Sequence, residues 1–306
     1  MIEIPSDVPM TAELAQRLMT ELAEVYPFVR TERLAATDGG RPIDALTIGT
    51  GNRRVLYAAA FHANEWITAP VLLRFAAEYA DAIDRDGMIF DRDARTLATE
   101  TTVFLVPMVN PDGVDLVAGV LRPDGAEYER AMDFARNYPN IPFPNGWKAN
   151  LNGVDLNLNF PAGWLRAREI KFSRGYQKPG PRDYVGRAPL SQTESLALFD
   201  YTLRIRPDLV IALHSQGQVI YWRYGGSEVP GARELGEEFA RLSGYTLSET
   251  PETASFAGYK DWFIQRFRRP GYTVEVGSGV NPLPLNQQAE IYRRTLGILV
   301  RGAGAS

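Results

Sequence analysis

Two histidines are all that this chain of 306 residues contains, and each stands where a metal ligand would be expected. His62 is followed three positions on by Glu65, in Phe61-His-Ala-Asn-Glu-Trp66. His214 closes the apolar run 208–213 and precedes Ser215 and Gln216. Imidazole nitrogens and carboxylate oxygens are the ligands of catalytic zinc, which keeps a fourth position open. A short His-x-x-Glu pair with one distant histidine supplies that set: His62, Glu65 and His214 around one ion. Short motifs arise by chance, so placement decides their weight.

Placement favours a site. His62 follows the apolar run Val55-Leu-Tyr-Ala-Ala-Ala60, and His214 follows another. Continuous apolar runs of this length read as strands buried on both faces. Open α/β sheets bind their ligands at such strand ends.

The elements that must carry these residues follow from pattern. Residues 11–25 have helical spacing, with Thr11 as cap and Pro27 as stop. Residues 28–50 read as two extended segments turning at Asp38-Gly-Gly40. Strands are expected over 54–60, 101–109, 208–213 and 272–276, with a hairpin-like piece over 218–224. Helices are expected over 65–84, 191–204, 231–243 and 285–301. Ser191-Gln-Thr-Glu194 has the form of a capping box, and Asn110-Pro-Asp-Gly113 that of a turn. Residues 114–190, rich in Gly, Pro, Asn and Arg, read as irregular walls of a cleft. The alternation predicts an α/β fold: one domain over 1–306, a mixed, mainly parallel twisted sheet with helices on both faces.

Composition narrows the function. A net charge of −4 gives no footprint for nucleic acid. No cysteine is present, which excludes disulfides and thiolate ligands. No apolar run approaches the roughly 20 residues of a membrane span. Met1-Ile-Glu-Ile-Pro5 lacks the basic region and apolar core of a secretory leader, so the expected compartment is the cytoplasm.

Further segments join the histidines: Trp147-Lys-Ala-Asn150, Gly153-Val-Asp-Leu-Asn157 before Leu158-Asn-Phe-Pro161, and Glu275 between Val274 and Val276. In this order the motifs resemble the zinc carboxypeptidase family across essentially the whole chain. The resemblance implies a carboxypeptidase-like fold and one Zn2+ held by His62, Glu65 and His214. It implies Glu275, fourteen residues after Asp261, as general base, and Asp155 as the carboxylate that holds His62. It implies Lys148 in the place of the arginine that steadies the oxyanion. It also implies a non-proline cis peptide at Ser215-Gln216. An acid in an apolar strand is costly without a partner or a task, which supports the reading of Glu275.

Departures from the family narrow the substrate. Asn157 is followed by Leu158 where carboxypeptidases carry an Asn-Arg pair for the substrate's terminal carboxylate. Asn64 stands where they carry another arginine. The runs 147–150, 153–164 and 62–67 resemble the bacterial γ-D-glutamyl-L-diamino acid endopeptidase branch, which implies a murein-derived peptide partner. The resemblance implies that Lys260, just before Asp261-Trp262, lies at the floor of the pocket for the leaving side chain, where a cation suits the far carboxylate of diaminopimelate; the alternative is a lysine pointing to solvent. The family's mobile tyrosine falls by count on Thr253, and Tyr259 is the nearby stand-in. Of Arg166, Arg168, Arg174, Arg182 and Arg187, some are expected to contact substrate carboxylates, and most read as solvated charges. A carboxypeptidase with an altered carboxylate site, an N-acyl amino acid deacylase and a metal-bearing binding module are the alternatives.

Overall fold

The computed structural model describes residues 2–227 and 229–304. Its strands are β1 (Arg30–Ala36), β2 (Pro42–Ile48), β3 (Arg53–Ala58), β4 (Met88–Ile89), β5 (Arg92–Asp93), β6 (Thr101–Val106), β7 (Leu209–Ser215), β8 (Val219–Tyr221), β9 (Thr246–Ser248) and β10 (Gly271–Val276). Its helices are α1 (Ala12–Val25), α2 (Thr68–Asp84), α3 (Ala94–Glu100), α4 (Pro111–Val117), α5 (Ala126–Ala135), α6 (Trp164–Ser173), α7 (Thr193–Ile205), α8 (Ala232–Ser243), α9 (Tyr259–Phe267) and α10 (Gln288–Gly304).

Eight strands form one sheet in the order β1-β2-β6-β3-β7-β10-β8-β9. The middle four, β6, β3, β7 and β10, run parallel. The pairings β1–β2, β2–β6 and β10–β8 are antiparallel. Both faces are covered, as the apolar runs require. Val55 and Tyr57 of β3 and Ile211 and Leu213 of β7 pack with α1, α2, α8 and α10 on one side. The alternate residues Leu56, Ala58, Val210 and Ala212 pack with α7 and α9 on the other. Each fully buried Val, Leu or Ile contributes about 1.5–3 kcal/mol relative to exposure, so this double layer holds the strand ends in place.

Several expectations need correction. Asn110-Pro-Asp-Gly113 is the start of α4. Asn110 accepts from the Gly113 N–H and Pro111 sits at the first helical position, as Pro favours. The capping box at Ser191 does not form. Helix α7 begins at Thr193 after Gln192, because Asn159 bonds the Ser191 hydroxyl and Glu194 bonds Asn150 instead. Glu65 lies in a separate short turn, Ala63–Glu65, ahead of α2. Residues 218–224 make no hairpin with β7, since β10 inserts between β7 and β8. Residues 114–190 contain α5 and α6 as well as loops.

Candidate metal centre and its cleft

The chain reaches His62 through a strained corner. Ala60 follows β3 in the left-handed region, at φ 48°, which costs a residue with a Cβ. Hydrogen bonds hold it there: Thr68 Oγ1 accepts its N–H at 2.9 Å, and its carbonyl accepts the Asn110 N–H at 3.0 Å. The Asn110 side chain then bridges to the carbonyls of Phe61 (3.2 Å) and Ala149 (3.1 Å). A Cβ on Gly113 would stand 2.6 Å from the Ala149 carbonyl oxygen. That turn therefore ties the loop carrying Lys148 to the strand end carrying His62. The Ala63 and Asn64 N–H groups complete the link by donating to the carbonyls of Lys148 and Trp147.

His214 comes from β7, and Glu275 lies beside it in register on β10. Cross-strand partners present their side chains to one face, so the β7–β10 ladder places a carboxylate next to the second histidine. The Ser215–Gln216 peptide is cis, as the resemblance implies.

Three groups converge. His62 Nδ1 lies 2.9 Å from Glu65 Oε1 and 3.2 Å from His214 Nδ1, which lies 3.1 Å from Glu65 Oε2. One ligand atom from each lies within 4.8 Å of the others, and all three residues are buried. Ligands about 2.0–2.1 Å from a tetrahedral ion stand roughly 3.3 Å apart. Two imidazoles turning the same nitrogen toward each other beside a carboxylate fit a cation better than they fit each other. The Ser215 N–H fixes Glu65 Oε2 at 3.1 Å, and Phe61 stacks on the His214 ring. Asp155 Oδ1 lies 3.1 Å from His62 Nε2, and its Oδ2 accepts the Asp183 N–H. That bond selects the ring tautomer that leaves Nδ1 free for an ion.

The chain's own charges show what a cation would balance. Burial pulls His62 down, yet Glu65 and Asp155 outweigh it and hold the imidazole near about 9. Burial lowers His214. Glu65 stays well below the usual carboxylate range: burial opposes this, but His62, Lys148 and His214 prevail. Glu275 is pushed up to about 8 by burial first and by the Glu65 charge second.

A cleft of two lobes opens here. The outer lobe, about 830 Å³, is lined by residues including Asn64, Asn145, Gln216 and Asn281. The inner lobe, about 230 Å³, reaches His62, Asp155, Asn157, Lys260 and Asp261. Lys148, Arg182, Tyr221 and Glu275 line both lobes. Lys148 Nζ lies 2.9 Å from Glu65 Oε1, beside the ligand set.

Of the residues expected to touch substrate, Asn64, Asn157 and Lys260 line the cleft. Asn157 Oδ1 accepts the Tyr259 N–H at 3.0 Å, and Asn64 Nδ2 donates to the Asn145 carbonyl. Lys260 is buried rather than solvated, its Nζ 2.6 Å from Asp261 Oδ1 and 2.7 Å from the Arg223 carbonyl. Tyr259 is a correction. Its ring is buried among Phe61, Phe160 and Trp262 and its hydroxyl meets Thr202 at 2.9 Å, because its helix turns that face into the core. The counted position, Thr253, is exposed. The tyrosine of the cleft is Tyr221, which sequence reasoning missed. Tyr221 pairs with Thr273 and Val219 with Glu275, so Tyr221 shares the face of Glu275, a pairing that alternation along β8 does not reveal by itself. Of the five arginines, Arg182 lines the cleft.

The comparisons with known proteins agree with this geometry. The zinc carboxypeptidase family (peptidase M14) matches residues 15–293. The chain is 44% identical to γ-D-glutamyl-L-diamino acid endopeptidase 1 of Lysinibacillus sphaericus over 282 residues, 92% of this chain and 69% of that protein. It is 37% identical to murein peptide amidase A of Escherichia coli (strain K12) over 99 residues, 31% of this chain and 38% of that protein. Among solved structures, carboxypeptidase A from Helicoverpa armigera superposes with a TM-score of 0.72 at 22% identity, covering 99% of this chain and 75% of that one. The donor set, the sheet that presents it and the sequence match lead to one statement: this chain belongs to the zinc carboxypeptidase family.

Proposed function

We propose that this chain is a zinc peptidase that hydrolyses the amide between γ-D-glutamate and meso-diaminopimelate (or L-lysine) in bacterial cell-wall peptides. The observation that carries the reading is the shared wall. Lys148 and Glu275 border both lobes beside His62, Glu65 and His214, so an amide spanning the lobes meets a base and a cation at the ligand set. The substrate class follows the relative named for that bond, 44% identical over 92% of this chain.

His62, Glu65 and His214 would hold zinc, which supplies Lewis acidity and a reactive water at neutral pH when bound. Glu275 takes the proton of the attacking water and delivers it to the leaving nitrogen. Burial, which raises its proton affinity, suits a group that must both accept and return a proton. Lys148 donates to the developing oxyanion, where one fixed charge in a partly desolvated cleft is effective. Asp155 keeps His62 oriented. Asn157 offers its Nδ2 donors to the leaving residue, and Asn64 borders the acyl side.

Specificity rests on the floor of the inner lobe. Lys260 and Asp261 form an ion pair there, and the far end of meso-diaminopimelate carries a carboxylate and an ammonium. The substrate's pair complements the protein's pair, with Lys260 reading the carboxylate. An L-lysine peptide, lacking that carboxylate, should be the poorer substrate.

The test is digestion of L-Ala-γ-D-Glu-meso-diaminopimelate with mass-spectrometric readout, with and without chelator, beside hippuryl amino acids and N-acyl amino acids. Chelator-sensitive release of meso-diaminopimelate supports the proposal. Turnover of the hippuryl or N-acyl substrates alone replaces it with a carboxypeptidase or a deacylase. No turnover of any substrate by zinc-loaded protein leaves a binding module.

A further inference from the structure

The ammonium of each lysine in the cleft already lies on a carboxylate, whereas one guanidinium keeps its two terminal nitrogens unpartnered among the described residues. Lys148 lies on Glu65, Lys171 on Asp183, and Lys260 on Asp261 and the Arg223 carbonyl. Arg182 differs. Its Nε donates to Asp183 Oδ2 at 2.7 Å, while Nη1 and Nη2 have no hydrogen-bond partner among the described residues. We infer that Arg182 binds the α-carboxylate of the leaving diamino acid, on the carbon that bears the cleaved nitrogen. This inference rests on the substrate reading above and adds a specificity residue to it.

The guanidinium is placed before any ligand arrives. The Pro181 carbonyl accepts the N–H groups of Lys148 (2.7 Å) and Ala149 (2.9 Å), which ties the segment to the oxyanion lysine. Asp183, the partner of Nε, is gripped by Lys171, and its N–H is fixed on Asp155, the residue that holds His62. One backbone step therefore joins Arg182 to the support of the first histidine. A guanidinium held by Nε retains its terminal nitrogens for a carboxylate, the geometry of bidentate recognition.

The position selects which carboxylate. Arg182 lines both lobes, with Lys148, Tyr221 and Glu275, so it stands where the cleaved bond must lie. One carbon separates the leaving residue's α-carboxylate from the cleaved nitrogen. Three carbons separate the D-glutamate α-carboxylate from the cleaved carbonyl. Leu158 borders the same inner lobe and offers no charge. Arg182 arrives from a different segment and restores the cation that Leu158 cannot provide.

The experiment compares kcat/KM on three peptides: L-Ala-γ-D-Glu-meso-diaminopimelate, its analogue with the leaving residue's α-carboxamide, and its analogue with the D-glutamate α-carboxamide. Losing a charge-assisted pair corresponds to about a tenfold to hundredfold effect. The unaltered protein should lose that factor only on the leaving-residue carboxamide. Arg182→Met should lose it on the free acid, chiefly in KM, and show no further loss on that carboxamide. Arg182→Lys should fall between. The side chain is 43% exposed and Lys171 still holds Asp183, so the variant should fold. If its zinc content falls, Arg182→Lys carries the same comparison. Equal losses on all three peptides, or a discrimination that follows the D-glutamate carboxamide, would overturn the assignment. Failure of the unaltered protein to cleave any of them would instead overturn the substrate reading and this inference with it.

Discussion

Removing one buried acid should make the protein less sensitive to rising pH. Glu194 is 3% exposed, and both its oxygens accept from Asn150 Nδ2, at 3.1 and 3.2 Å. Burial first, and the charges of Asp112 and Asp38 after it, raise its carboxyl from 4.5 to about 7; its own N–H and Asn150 oppose them. The folded chain therefore holds this proton more tightly than the unfolded chain. The stabilisation is complete below about pH 4.5, shrinks as pH rises and is gone above about 7. At roughly 1.4 kcal/mol per unit, the span is on the order of 3 kcal/mol. With unfolding entropy of about 2 cal/mol/K per residue, that corresponds to roughly 5 °C in Tm for a chain this long. Glu194→Gln stays neutral and keeps an acceptor for Asn150. Its Tm should match the unaltered protein near pH 4.5 and exceed it by about 5 °C at pH 8. Thermal unfolding of the two proteins side by side cancels the pH dependence of every other group. A difference that does not change with pH would refute the reasoning. The outcome bears on the site, because Asn150 Oδ1 also accepts the N–H groups of Asn152 and Val154, the loop leading to Asp155.

Other outcomes follow from the cleft. Lys148→Ala should lower kcat by about 100- to 1,000-fold with little change in KM, and Lys148→Arg should recover part of it; an unchanged kcat would remove Lys148 from the chemistry. Asp155→Asn should weaken zinc affinity by about 10- to 100-fold, read by competition with a chromophoric chelator; unaltered affinity would show that Asp155 does not support His62. Lys260→Met should reduce kcat/KM for meso-diaminopimelate peptides toward the value for L-lysine peptides. A variant that keeps the original ratio between the two would exclude Lys260 as the reader of the far carboxylate.

The sheet and the ligand set were legible because they rest on local signals. Apolar runs marked the parallel strands over 54–60 and 208–213, and the two histidines marked their ends. The order of the strands was not legible, since nothing local says that β10 inserts between β7 and β8. That insertion aligns Glu275 with His214 and turns Tyr221 toward the cleft, so Tyr221 stayed hidden while counting along the chain pointed to Thr253 and Tyr259. Ser191 and Glu194 show the opposite error: a motif with a sound local meaning lost to long-range partners, Asn159 and Asn150. Arg182 could not be told from the neighbouring loop arginines, because its pairing with Asp183 at the cleft depends on a fold that pattern alone does not supply.

The most direct measurement is anomalous diffraction at the zinc absorption edge from crystals of the zinc-loaded protein. The account predicts one peak, bounded by Nδ1 of His62, Nδ1 of His214 and the Glu65 carboxylate, with Glu275 facing it but not bound to it. A peak elsewhere, a second ion in the cleft, or Glu275 turned away beyond the reach of one bridging water would contradict it.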